Sequence, residues 1–267
     1  MNPSNTKFWT RDSNGVKELR DLKREHAIWK GMVFKAINND LIDEPILIYD
    51  EIYDNQTTIL FKDEVQNVVD GCIYQKGECY IKPNDVVLDL GANIGIFSRF
   101  ASDAGASMVY SFEPIIQNFE LLMLNRPENC QPHRIAVSNI DNEAIEMTYC
   151  PTDPGESSFI IKKKQRQTEQ QTIMTMTITT MVNKGVIEQP DFIKMDVEGA
   201  EILAFEGISD NILSKTRCIS MELHERILPE KDVLDLYVRL KDLGFKSFTL
   251  RNKDNCNMVW WVNQQLK

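Results

Sequence analysis

The sequence predicts an α/β protein: a mostly parallel, Rossmann-like sheet that ends in an antiparallel C-terminal hairpin, preceded by an N-terminal helix-and-hairpin extension. Three observations carry this expectation. Val86-Val87-Leu88-Asp89-Leu90 is an apolar run suited to a strand buried on both faces, and it turns through Gly91 and Gly95 into an apolar-periodic helix. From Asp85 onward, short apolar runs alternate with helical patterns. The last two runs, Phe245–Leu250 and Met258–Val262, are separated only by Arg251–Asn257, which is too short for a parallel crossover.

Taken in order, residues 1–15 carry no pattern. Val16 to Asn38 reads as an amphipathic helix with Leu19, Leu22, His26, Trp29 and Val33 on one stripe. Ile46–Tyr53 and Thr57–Phe61 read as a hairpin and Val65–Tyr74 as a short helix, so 1–80 forms a cap ahead of a main domain over 81–267. In that domain the first strand is followed by a helix carrying Ile94, Phe97, Ala101 and Ala104. Next come strand Met108–Phe112, a helix with Pro114 in its first turn, and a third strand over His133–Val137. Residues 141–178 break the rhythm with alternating stretches (Glu143–Tyr149, Ser157–Lys162, Thr172–Thr177) that read as an inserted β-ribbon. The alternation resumes with strand Phe192–Met195, helix Gly199–Gly207, strand Cys218–Leu223 and a helix from Pro229 closed by Gly244.

Bulk properties bound the function. With 267 residues, 42% hydrophobic and 26% charged, the chain can bury a sizeable core. A net charge of −10 argues against nucleic acid as the partner, since that binding rests on clustered Lys and Arg. Lys162-Lys163-Lys164-Gln165-Arg166 is read as a solvated loop or strand edge. The six cysteines (Cys72, Cys79, Cys130, Cys150, Cys218, Cys256) form no CxxC pair and no zinc spacing, so they are read as packing residues of a reduced, cytoplasmic protein. The start lacks a signal-peptide pattern and no apolar run reaches the length of a membrane span.

Three constellations carry chemistry. A strand feeding a helix through glycines is expected to present free backbone N–H groups at the positive end of a helix dipole. In Gly91-Ala92-Asn93-Ile94-Gly95, however, the middle glycine of the dinucleotide fingerprint G-x-G-x-x-G is replaced by Asn93. Its side chain hinders a pyrophosphate but suits a compact zwitterion such as a methionine moiety. Glu113 ends the next strand, where an acid can accept from ribose hydroxyls. Second, Lys194, Asp196 and Glu198 alternate at the end of a later strand and are expected to point the same way. Glu201 is read as a complement to the following helix dipole. Third, Glu222 and His224 end the next strand, where imidazole could remove a proton. Asp196, Glu222 and His224 could alternatively hold a divalent metal such as Mg²⁺, a reading not favoured.

On Val87 to Gly95, Ser111-Phe112-Glu113-Pro114, Ala136-Val137-Ser138 and above all Asp191-Phe192-Ile193-Lys194-Met195-Asp196-Val197-Glu198-Gly199-Ala200-Glu201, the sequence resembles the FkbM family of S-adenosylmethionine-dependent methyltransferases. The resemblance covers about residues 80–263. It implies a class I methyltransferase fold and methyl transfer to a hydroxyl of a sugar, glycan or natural product. It further implies that Asp89, Gly91, Asn93 and Gly95 hold the methionine part, that Glu113 holds the ribose, and that Ser138 lies near the adenine. Asp196 and Glu198 border that site, and His224, Asp196 and Lys194 are the catalytic candidates. Family members commonly show Thr-Leu-Asp ahead of the long block, whereas Thr177-Ile178-Thr179 here lacks the acid. A nicotinamide-type Rossmann oxidoreductase and a non-catalytic S-adenosylmethionine-binding module remain the alternatives.

Overall fold

The computed structural model describes residues 72–149, 169–225, 227–251 and 257–266, together with the backbone of three short N-terminal strands. These are β1 (His26–Trp29), β2 (Met32–Ile37) and β3 (Asp40–Leu41). β1 and β2 pair antiparallel with Trp29 opposite Met32, which corrects the helix expected over this stretch. The β-branched and aromatic residues of this stretch suit paired strands, and that pairing prevails over the helical periodicity. The hairpin expected over 46–61 lies outside the described residues, as does most of the helix expected over 65–74.

The main sheet has seven strands in the order β12-β13-β11-β10-β4-β5-β6. They are β4 (Val86–Leu90), β5 (Met108–Phe112), β6 (Cys130–His133), β10 (Phe192–Met195), β11 (Cys218–Leu223), β12 (Phe245–Arg251) and β13 (Asn257–Asn263). β4, β5, β6, β10 and β11 run parallel; β13 is antiparallel to β11 and to β12. This is the class I methyltransferase arrangement. β4 lies inside the sheet between β10 and β5, and its side chains divide between two cores, as period-2 alternation requires. Val87 packs with Phe97, Val109, Phe192 and Trp260 on one face, while Leu88 and Leu90 pack with Ile193, Met195, Ile219 and Leu240 on the other.

Helices cover both faces. α1 (Ile96–Asp103) and α2 (Ile116–Asn125) follow β4 and β5; α3 (Ile178–Asn183), α4 (Glu201–Glu206), α5 (Asp210–Leu213) and α6 (Glu230–Asp242) complete the set. Pro114 lies ahead of the first turn of α2 rather than in it, because Ile115 is the N-cap. Two further expectations are corrected. The third strand ends at His133; Ala136–Val137 is a separate strand, β7, paired with β9 (Glu169–Met176) in a second sheet with β8 (Ala144–Tyr149). β9 pairs antiparallel with β8, and Ile145, Met147, Tyr149 and Ile173 cluster with Ile115 from the start of α2. β9 stops at Met176, because the Thr177 hydroxyl accepts the Thr180 N–H at 3.0 Å and starts α3. Ser157–Lys162 lies outside the described residues. Among the described residues no helix is long and apolar enough to cross a membrane.

Leu88 is fully buried within the sheet. Leu88→Ala is expected to lower unfolding free energy by about 2–5 kcal/mol, through lost transfer energy plus the residual cavity. Urea denaturation of the two proteins checks this.

Candidate active site

Because β4, β5, β10 and β11 are parallel, their carboxyl ends lie at one edge of the sheet, where open α/β sheets bind ligands. β4 leaves that edge through a turn with positive φ at Gly91 (77°), Asn93 (50°) and Gly95 (90°). These steps fold the turn onto the end of β5. The N–H groups of Gly91 and Ala92 both donate to the Phe112 carbonyl, at 3.0 and 2.9 Å, and that of Asn93 donates to Glu113 Oε2 at 2.8 Å. The Gly95 N–H donates to the Ala92 carbonyl at 2.8 Å. The free N–H cradle expected from sequence is therefore largely absent: these four amides already donate within the protein.

Gly91 is demanded by a close approach. A Cβ there would fall 1.7 Å from the backbone oxygen of Asp196, at the end of β10. Lys194 fastens the same two strand ends. Its Nζ donates to the Gly91 carbonyl at 2.7 Å and lies 3.3 Å from Asp89 Oδ1 and 3.7 Å from Asp196 Oδ2. Burial by itself would lower the Lys194 pKa, but the Asp89 and Asp196 carboxylates outweigh it and hold it above the ordinary value, so the ammonium persists. Asp89, fully buried, also accepts the Ser98 hydroxyl of α1 at 2.6 Å. Tyr74 closes the group. Its hydroxyl donates to Asp196 Oδ2 at 2.8 Å, its ring meets Phe97 edge-on at 5.3 Å, and the Lys194 ammonium lies 5.1 Å from its ring centre.

Glu113 joins the turn to α2. Its Oε2 accepts from Asn93 and its Oε1 from the Ile115 N–H at 2.9 Å. Burial pushes its carboxyl up to about 7 against the pull of those two N–H groups. Asn93 Oδ1 and Asp196 Oδ1 are buried and have no hydrogen-bond partner among the described residues.

Glu198 belongs to a different group from Lys194 and Asp196. β10 ends at Met195 and Glu198 has φ of 52°, so strand alternation does not set its direction and the shared orientation expected from sequence does not extend to it. Its Oε2 lies 3.4 Å from His224 Nε2, while His224 Nδ1 lies 2.9 Å from Glu201 Oε1. Burial, followed by the nearby Asp196 charge, raises the Glu198 carboxyl well above its ordinary range; Glu222 and Glu201 add to this and His224 opposes it. Among the described residues no group of three His, Cys, Asp or Glu could hold a metal ion, so Asp196, Glu222 and His224 do not form such a cluster.

The structure thus brings together Asp89, Gly91, Lys194 and Asp196, links Asn93 to Glu113, and joins Glu198 to His224. Ser138 follows β7 in the second sheet, where its N–H donates to the Met176 carbonyl at 3.2 Å and its hydroxyl to Asn139 at 3.4 Å. Thr179, at the place where the family's acid is commonly found, donates to the Gly207 carbonyl and accepts the Ser209 N–H, both at 2.8 Å. Sequence reasoning missed Tyr74 and read Glu201 only as a helix complement. Tyr74 lies 122 positions from its partner Asp196 and no local pattern marks it. Glu201 is more than a dipole complement: it is fully buried, and its Oε1 also accepts the Gly199 N–H at 2.9 Å. Its place in the first turn of a helix beside two charged strand ends was the only available signal.

The profile of the methyltransferase FkbM domain matches residues 89–247. Among curated proteins, a hexuronic acid methyltransferase of Haloferax volcanii is 27% identical over 161 residues, covering 59% of this chain and 63% of that protein. An AMB antimetabolite synthetase of Pseudomonas aeruginosa is 25% identical over 192 residues, covering 58% of this chain and 9% of the synthetase. The crystal structure of an FkbM methyltransferase from Methylobacillus flagellatus aligns with a TM-score of 0.49 at 16% identity, over 80% of this chain and 47% of that one. The chain spans less than two thirds of the length of each of these relatives.

Gly91→Ala is expected to destabilise far more than Gly77→Ala, although both have positive φ, because a Cβ at Gly77 meets nothing within 4 Å. The Gly77 variant should lose about 1 kcal/mol from backbone strain alone, and the Gly91 variant at least about 3 kcal/mol. Thermal unfolding of both variants is the check.

Proposed function

The chain belongs to the FkbM methyltransferase family, and on that premise we propose that it transfers the methyl group of S-adenosylmethionine to a hydroxyl oxygen of a sugar, glycan or other small natural product. The observation that carries the cofactor assignment is the pair of buried, unpartnered acceptors, Asn93 Oδ1 and Asp196 Oδ1, beside a turn whose amides already donate within the protein. Acceptors suit the cationic ammonium of a methionine moiety; a pyrophosphate needs donors, and four of the turn's amides are already engaged. That contrast favours S-adenosylmethionine over a nicotinamide dinucleotide. A carbohydrate acceptor is supported by the hexuronic acid methyltransferase among the relatives. The scattered cysteines support a cytoplasmic setting.

When bound, the cofactor supplies an electrophilic methyl group on a sulfonium. What remains for this chain is to align the acceptor oxygen and to take its proton. Asn93 and Asp196 would hold the methionine end, Glu113 the ribose hydroxyls, and Ser138 would lie toward the adenine. Asp89 and Lys194 act behind them, since both are buried and tie β4, α1 and β10 into one frame. His224 is the base: an unprotonated imidazole nitrogen can accept a hydroxyl proton.

Thermal shift provides the first test: S-adenosylhomocysteine should raise Tm and NAD should not. The reverse result would overturn the cofactor assignment. Asn93→Ala should weaken S-adenosylhomocysteine binding about tenfold, the loss of one hydrogen bond to a charged group. The affinity should also depend on pH. Ribose hydroxyls donating to Glu113 favour its carboxylate, so binding lowers a pKa that starts at about 7 and releases a proton. Affinity should therefore rise between about pH 6 and pH 8, and calorimetry in buffers of different ionisation enthalpy should detect the released proton. For the acceptor, mass spectrometry of a glycan and metabolite extract incubated with labelled S-adenosylmethionine should show a labelled ether. Binding without any product would leave a cofactor-binding module. His224→Ala should slow turnover about 10²- to 10⁴-fold with cofactor affinity near wild type.

A further inference from the structure

Glu201 sits at the first position of α4 with its carboxylate out of contact with solvent. Its Oε1 is held from one side by the Gly199 N–H at 2.9 Å and meets His224 Nδ1 from the other at 2.9 Å, while its Oε2 is buried without a hydrogen-bond partner among the described residues. A carboxylate removed from water at this depth is costly unless something nearby needs its charge. A dipole complement does not require such burial, since it already acts from an exposed position. His224 stands between this carboxylate and Glu198, whose Oε2 is 3.4 Å from Nε2. Glu198 in turn occupies a left-handed backbone conformation that is unusual for a non-glycine residue, and such strain is concentrated at functional sites.

We propose that Glu201 is the positioning residue for His224, holding the Nδ1–H of the neutral imidazole so that Nε2 is the nitrogen that takes the acceptor's proton. This rests on the hydroxyl methyl transfer proposed above. The step balances without a further reactant. The acceptor O–H bond breaks as its proton passes to Nε2, and the oxygen forms a bond to the methyl carbon. The carbon–sulfur bond breaks with its electron pair going to sulfur, which leaves a neutral thioether. The imidazolium then lies between the carboxyl groups of Glu201 and Glu198. Glu198 is part-exposed, which gives the proton a way to solvent.

The test begins without any substrate. The chain contains only three histidines, so the His224 ring nitrogens can be assigned in ¹⁵N spectra by comparison with His224→Ala. In the wild-type protein the neutral ring should carry its proton on Nδ1; a neutral ring protonated on Nε2 would overturn the proposal. Glu201→Gln keeps an acceptor oxygen for both Gly199 and His224 but removes the charge. It should lower the His224 pKa by about one unit, the shift expected on removing an adjacent carboxylate. In turnover assays the same variant should move the acidic limb of the kcat–pH profile down by a similar amount and lower kcat at least tenfold, with KM for the cofactor unchanged. A variant with reduced Tm but an unmoved His224 pKa and pH profile would show that Glu201 serves only to tie α4 to β11, and would overturn the proposal. Should the wild type methylate nothing while the ring nitrogens behave as expected, the methyl-transfer reading fails and the Glu201–His224 arrangement stands as a measured property of the site.

Discussion

One buried ammonium holds the functional edge of this protein together. Lys194 reaches from β10 to the Gly91 carbonyl at the end of β4 and lies between the carboxylates of Asp89 and Asp196. Removing such a cation would strand Asp89 in the interior, fully buried, with only the Ser98 hydroxyl to compensate it. Asp89 in turn connects the ammonium to α1 through Ser98. The backbone arrangement permits all this only because Gly91 lets β4 and β10 meet at a distance no side chain tolerates. The turn, the start of α1 and the position of Asp196 therefore depend on one another, and the strand ends act as a rigid platform.

Around that platform the electrostatics are arranged by depth. Lys194 stays charged because two carboxylates outweigh its burial. Glu113 is lifted to about 7 because burial outweighs two N–H donors. Glu198 is lifted well above its ordinary range because burial and its acidic neighbours act in the same direction. Carboxyl groups displaced from their ordinary range at one sheet edge mark a site built for chemistry more readily than one built for packing. The covered faces of the sheet, by contrast, carry apolar side chains in two clusters and leave the polar residues to the edge.

Much of the architecture is readable along the chain. The apolar run Val86–Leu90, the alternation after it and the short link between the last two runs suffice for a parallel sheet with an antiparallel end, because strand burial, helix period and crossover length are local constraints. The same locality explains what failed. His26 to Ile37 shows three- and four-residue spacings that suit a helix, but the pairing of Trp29 with Met32 prevails. His133 to Val137 reads as one strand because Ile135, Ala136 and Val137 form an apolar run, yet the chain changes sheets after His133 to pair with β9, a partner far along the sequence.

The sequence by itself pointed to the family, to the central strand–turn–helix and to Asn93, Glu113, Asp196 and His224 as candidates, because each sits at an element boundary that composition and spacing mark. Only the tertiary structure decided what each of them meets. It turns the amides of Gly91, Ala92 and Asn93 toward β5 and leaves Asn93 Oδ1 and Asp196 Oδ1 unpartnered. It also brings Tyr74 to Asp196 and places Glu201 against His224. The reason is physical: hydrogen-bond partnership and desolvation are set by what lies across space from a group, and parallel strands bring together residues whose separation in sequence carries no signal.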